Sequence, residues 1–181
     1  MIGVLVSGEG TNLQALIDSG LPVAAVASNR RDAYALMRAR AAGIATAAFA
    51  LDCHPGREER DLVMASWLER HGVELVVLAG YMHLLTKPFL DRFPDRVVNV
   101  HPSLLPAFPG AHAVADALAA GAETTGVTVH LVDEGIDSGP ILRQEPVPVE
   151  PRATLLERLH AVEHQLLPDV VRELLVGSPT R

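Results

Sequence analysis

The 181-residue chain is poor in several features that mark common protein classes. It has a single cysteine, Cys53, which excludes an intramolecular disulfide framework and a multi-cysteine zinc site. Basic residues are scarce: 15 Lys and Arg stand against 22 Asp and Glu, a formal charge of −7 with His neutral. A phosphate polymer is held by clustered Lys and Arg, so nucleic acid is not an expected partner. Long apolar runs are missing too. The longest uncharged stretch, Val97–Ala115, contains Asn99, two His and three Pro and does not read as a membrane span. The chain begins directly with a strand-like Met1–Val6, without a basic region followed by an apolar signal segment. These deficits predict a soluble, cytoplasmic protein. Core-forming residues are plentiful: 49% of the chain is hydrophobic, enough to exclude disorder, and the length suits one domain spanning 1–181.

Short β-branched runs alternate with helical patterns. Strands are expected at Ile2–Val6, Pro22–Ala27, Thr46–Phe49, Leu75–Ala79 and Val97–His101. Between them, helices are expected at Asn12–Asp18, Ala33–Ala42, Arg57–His71 and Thr86–Phe93, with Gly43 and Gly72 as stops. This rhythm predicts an α/β fold with a doubly wound, mostly parallel, Rossmann-like sheet. The pattern changes after Pro102. Thr124–Val132 alternates, with Val127, Val129 and Leu131 on one face and Thr128, His130 and Val132 on the other. Ile141–Val149 follows closely, so an antiparallel pair is expected near the C-terminal part. A final helix is expected from Thr154, with Glu157 in capping-box spacing and Leu155, Leu159, Val162, Leu166 and Val170 as its apolar stripe. The Ser178–Arg181 tail is expected to fray.

Ser7-Gly8-Glu9-Gly10-Thr11-Asn12 lies between the first strand and the first helix. Glycines there let backbone approach an anion at a helix start, so phosphate is the natural ligand. A plain tight turn is the alternative: the third glycine of a dinucleotide loop is replaced by Leu13, and Gly-Lys-Ser/Thr is absent. Asn99 and His101 lie two apart on a strand, so they share a face at its carboxyl end, where open α/β sheets place ligands. Pro102 then turns the chain away. Asp137, within Asp133–Pro140, is either a turn-forming residue or a carboxylate that stabilises a protonated His101. His130 is either a core histidine or a further polar group of the same site.

The segments Ser7–Ala15, Val77–Met82, Asn99–Pro106, Thr128–His130, Ile136–Pro140 and Glu163-His164 carry a resemblance over nearly the whole chain. It resembles the formyl-folate transferase and hydrolase superfamily, and within it, through the glycine loop and Pro109–His112, the glycinamide ribonucleotide transformylases. The resemblance implies an enzyme of purine biosynthesis and one-carbon metabolism that uses 10-formyltetrahydrofolate as co-substrate and no metal. Asn99, His101 and Asp137 would be the catalytic groups. Gly10, Thr11 and Asn12 would contact the ribonucleotide phosphate, with Pro102, His130, His160 and Glu163 completing the substrate set. Met82, His83, Leu84, Leu85, Phe89 and Val97 would form the folate cleft. Val132, Asp133 and Glu134 would give backbone contacts to the pterin, and Arg57 would reach the folate tail. The phosphate-binding half is placed at about 1–100 and the catalytic and folate elements at about 78–165.

Two positions depart from the pattern. His83 stands where relatives often carry Arg, and His160 where they often carry Gln or Lys. The partners implied are small molecules, with the chain a monomer or homodimer and with neither nucleic acid nor membrane. Two other readings stand beside the transferase: a formyltetrahydrofolate deformylase with water as nucleophile, and a non-catalytic phosphometabolite-binding module.

Overall fold

The computed structural model describes residues 1–177; the expectation for Ser178–Arg181 lies outside the described residues. The strands are β1 (Ile2–Val6), β2 (Val23–Ser28), β3 (Ala45–Ala48), β4 (Leu75–Leu78), β5 (Val97–His101), β6 (Thr124–Leu131) and β7 (Ile141–Pro148). The helices are α1 (Thr11–Asp18), α2 (Tyr34–Ala41), α3 (Arg57–Arg70), α4 (Lys87–Leu90), α5 (Ala113–Ala119) and α6 (Leu155–Val176). All seven strands belong to one sheet in the order β3-β2-β1-β4-β5-β6-β7. By its internal contacts the chain divides into two compact units, Met1–Val98 and Asn99 onward.

In the first unit β1 pairs in parallel with both β2 and β4, and β2 pairs in parallel with β3. Every residue of β1 and β4 is buried, as the unbroken apolar runs require when both faces of a sheet are covered. Gly3 lets α3 come close: a Cβ there would lie 2.9 Å from Leu68 Cδ2. Ser7 and Asn29, just past the ends of β1 and β2, bring polar groups to the carboxyl end of the sheet.

In the second unit β6 and β7 form the expected antiparallel pair. Gly126 permits their approach, since a Cβ would meet the Glu145 carbonyl oxygen at 2.3 Å. β7 ends the strand order. Val149 donates its amide to Glu123 O, so by alternation Pro146 and Pro148 occupy positions whose N–H would face away from β6. Leu155, Leu159, Leu166 and Val170 of α6 are buried, and Val162 is half-buried.

Three local expectations need correction. The alternation in β6 suggested one polar face, yet Thr125–His130 are buried throughout, because Thr128 finds internal partners. The capping box at Thr154 and Glu157 does not form; Thr154 Oγ1 accepts instead from Arg158 and donates to Pro151 O. Helix α5 was not expected at all. Its alanine-rich sequence offers too small an apolar stripe to stand out, with only Ala113 and Ala117 buried.

Candidate active site

The second unit brings together Asn99, His101, His130 and Asp137. Asn99 and His101 project from the end of β5, His130 from β6, and Asp137 from the loop between β6 and β7. Asp137 Oδ2 accepts the Gly110 amide at 2.7 Å and lies 3.4 Å from His101 Nδ1. Its Oδ1 lies 3.4 Å from Asn99 Nδ2 and 3.5 Å from His130 Nε2. One carboxylate therefore faces three polar side chains. The carboxyl is held down at about 2: the hydrogen bond from His130 is the main cause, burial opposes it, and the Gly110 amide and the charge of His101 add to it.

The ring of His101 is buried and fixed from behind. Nε2–H donates to the Phe108 carbonyl at 2.9 Å, which leaves Nδ1 directed at Asp137. Both nitrogens thus face oxygens, Nε2 through its hydrogen bond to Phe108 O and Nδ1 across 3.4 Å to Asp137 Oδ2. The segment carrying these acceptors is tightly held. Ser103 Oγ donates to Ala107 O at 2.6 Å, Thr128 Oγ1 donates to Ser103 O at 2.6 Å, and Gln144 Nε2 donates to Leu105 O at 2.8 Å. His130 donates from Nδ1 to Leu131 O at 2.8 Å, and its Nε2 sits 3.2 Å from Asn99 Nδ2. A neutral His130 accepts from Asn99; a protonated one donates to Asp137.

Other expected residues of this unit are placed separately. Asp133 Oδ1 accepts from the Gly135 amide at 3.0 Å and the Ser138 hydroxyl at 2.8 Å, closing the loop that presents Asp137. Gly139 allows this loop to pass Leu131, since a Cβ would lie 1.9 Å from its carbonyl oxygen. Val132 and Pro102 are half-buried and Glu134 is exposed. On α6 Glu163 is buried at 6% exposure, so it is no solvated surface charge. His160 is exposed and its ring stacks near that of His164, 6.1 Å between centroids. Burial, with the neighbouring His160, holds His164 below the ordinary histidine range.

The first unit holds the glycine loop. Gly10 has φ 74° and a Cβ there would lie 2.5 Å from Ala35 Cβ, so α2 packs directly on the loop. Ala35 N donates to Gly8 O and Arg38 Nε to Glu9 O. Thr11 and Asn12 open α1, whose first-turn N–H groups point along the helix axis as in an anion site. Of the expected cleft residues, Met82 and Leu84 are well exposed, whereas Leu85, Phe89 and Val97 are buried as core. Arg57 Nη2 donates to Leu84 O at 2.6 Å. His83 is half-buried and lies against Arg60 and Asn29, and burial, then the charges of Arg60 and Arg57, hold it below the usual histidine range. It also borders a cavity of about 560 Å³ lined with Asn29, Arg30, Arg31, Leu51 and Asp52.

Sequence reasoning missed the partners that aim these groups. Phe108 and Gly110 act through backbone atoms, which carry no side-chain signal. Arg60 and Asp61 sit in the charged run Arg57–Asp61 of the expected helix, yet both side chains have 0% exposure. Among the described residues no group of three or more His, Cys, Asp or Glu is placed to hold a metal ion. No helix among them is long and apolar enough to cross a membrane.

The family model described as formyl transferase matches residues 1–171. The chain is 44% identical over 184 residues to a phosphoribosylglycinamide formyltransferase of Mycobacterium tuberculosis (strain CDC 1551 / Oshkosh), covering 98% of this chain and 86% of that one. It is 40% identical over 191 residues to the trifunctional purine biosynthetic protein adenosine-3 of Drosophila pseudoobscura pseudoobscura, and spans only 14% of that protein's length. Its fold matches the crystal structure of glycinamide ribonucleotide transformylase 1 from Symbiobacterium toebii with a TM-score of 0.94 and 45% identity, covering 97% of this chain and 87% of that one. With the model match running through both compact units, the chain belongs to the formyl transferase family.

Proposed function

We propose that the chain transfers the formyl group of 10-formyltetrahydrofolate to the amine of glycinamide ribonucleotide, a step of purine biosynthesis. The observation that carries the reading is the meeting of Asn99, His101 and Asp137 around one carboxylate, in a chain whose relatives of similar length are named for this transfer. The amine attacks the formyl carbon and the carbonyl oxygen becomes an oxyanion. Asn99 donates a hydrogen bond to that oxygen, and the His101 imidazolium, with Nε2 on Phe108 and Nδ1 facing Asp137, stabilises it through its positive charge. Asp137 keeps the imidazolium charged and takes part in moving the proton from the attacking nitrogen to the departing folate nitrogen. An α-amino group has a pKa of about 7.7–8.0, so part of the amine is neutral at pH 7 without a strong base.

In the first unit we assign Gly10, Thr11 and Asn12 to the phosphate. Arg57, Met82, His83 and Leu84 are assigned to the folate, with Leu85, Phe89 and Val97 as the buried apolar layer that supports them. In the second, Pro102, His130, His160 and Glu163 serve the ribonucleotide, and the backbone of Val132, Asp133 and Glu134 serves the pterin. The phosphate-binding and catalytic parts act as one formyltransferase domain in the cytoplasm.

The test is an absorbance assay with 10-formyltetrahydrofolate, run with and without glycinamide ribonucleotide. Folate release that depends on the amine is expected. Equal release without it assigns water as the acceptor and a hydrolase instead. Asn99→Ala and His101→Ala are each expected to lower kcat by about 10²–10³-fold.

A further inference from the structure

The segment after β4 is gripped residue by residue by side chains from three other elements of the first unit. Ser7 Oγ accepts the Met82 amide at 2.9 Å. Asn29 Nδ2 and Arg60 Nη1 lie 3.2 and 2.6 Å from the two ring nitrogens of His83. Arg57 Nη2 donates to Leu84 O at 2.6 Å, and Asp61 Oδ2 accepts the Thr86 amide at 2.8 Å. Behind this row Arg60 Nε and Nη2 both donate to Asp61 Oδ1, at 2.9 and 2.6 Å, with both side chains at 0% exposure.

Stability alone does not account for this pair. A buried ion pair gives little net stability over an apolar pair of the same volume, because desolvation offsets the attraction. What the pair does control is backbone position. Guanidinium and carboxylate together set His83 and Thr86, while Met82 and Leu84, at 66% and 48% exposure, are held out to solvent as large apolar side chains. Apolar groups displayed on a fixed backbone suit a flat, partly apolar ligand, because little freedom is lost on binding. His83 fits this arrangement and Arg would not. The guanidinium of Arg60 already occupies the space beside Nδ1, and a second cation there would meet it at close range.

We propose that Arg60 and Asp61 are positioning residues for the formyl-folate co-substrate, acting through His83 and the Thr86 amide to hold Met82–Thr86 as a preformed apolar platform. This rests on the reading of the chain as a formyl-folate-dependent transferase. The Arg60 guanidinium and the side chain of residue 83 meet in one space, so the two positions are coupled.

The experiment is a double-mutant cycle with His83→Arg, Arg60→Met and both together. It reads kcat, KM for each substrate and, by calorimetry, the Kd for 10-formyltetrahydrofolate. Each single variant is expected to raise the folate KM and Kd about tenfold or more, with kcat and the ribonucleotide KM within about threefold. The double variant, with one guanidinium again between the elements, is expected to recover to within about threefold of wild type. Additive losses, or equal rises in both KM values, overturn the proposal. If Arg60→Met does not fold, His83→Leu, which leaves the Arg60–Asp61 pair whole, is expected to loosen the Met82 and Thr86 amides in hydrogen exchange and to raise the folate Kd alone; unchanged exchange and Kd overturn it. A wild-type chain that binds formyl-folate but transfers nothing removes the assigned reaction, while the cycle in Kd still decides the platform. A wild-type chain that does not bind it removes both.

Discussion

Asp137 has φ 51°, in the left-handed region that is uncommon for residues other than glycine, though Asp tolerates it better than most. Here the Gly110 amide and the Asp133 loop closure hold it there, which places a carboxylate at the meeting point of Asn99, His101 and His130. Asp137→Asn keeps the shape and an acceptor for Gly110 but removes the negative charge that faces His101. Its kcat is expected to fall by about 10²–10³-fold with both KM values nearly unchanged; a loss confined to KM would contradict the assigned role. The acid behaviour follows from the same contacts. The folded carboxyl, at about 2, lies below its ordinary 3.8, so its stabilisation is complete above that ordinary value and disappears as pH falls towards 2. Chemical denaturation between pH 5 and roughly pH 2 is therefore expected to show a steeper loss for wild type than for Asp137→Asn. Asn99 and His101 were legible because a two-residue spacing before a proline points both to one strand face. The hydrogen bond fixing His101 was not, because its acceptor is the Phe108 backbone, and no residue type announces a carbonyl.

At the scale of elements, strands were easier to find than helix ends. Apolar runs such as Ile2–Val6 and Val97–His101 coincide with β1 and β5, since burial on both faces leaves nothing else for them to be. Helix termini depend on one or two hydrogen bonds, and there local pattern misleads. Thr154 is turned to Pro151 and Arg158 instead of capping α6, so Thr154→Ala is expected to change the free energy of urea unfolding by less than about 0.5 kcal/mol, against about 1 kcal/mol for a true cap. The glycine loop shows the same limit. Gly10 reads as a phosphate cradle, yet its position is dictated first by its positive φ and the nearness of Ala35. Gly10→Val is thus expected to lower stability by roughly 2–4 kcal/mol in urea unfolding with no ligand present.

For the whole molecule, charge contributes unevenly. Arg30–Asp32, Arg31–Asp52, Lys87–Asp91 and Arg143–Glu173 are exposed pairs, screened by water and salt. Arg60–Asp61 is the fully buried pair among those described. Sodium chloride at about 1 M is therefore expected to move the calorimetric Tm by no more than about 4 °C. Asp61→Asn, which leaves a guanidinium without its counter-charge in the interior, is expected to cost about 3–5 kcal/mol and lower Tm by at least about 6 °C. The alternation of strand and helix patterns foretold the class of fold but not this asymmetry, because a run of charges looks alike in sequence whether it is wet or dry. The border of the sheet at β7 has a different consequence. Pro146 and Pro148 leave its outer rim without a continuous row of donors, while Ile141 and Leu142 lie exposed along the same strand. A second copy laid against that rim would find its ladder interrupted at both prolines. The prolines thus guard against fibrillar self-templating, and a chain with Pro146→Thr and Pro148→Thr would lose that guard.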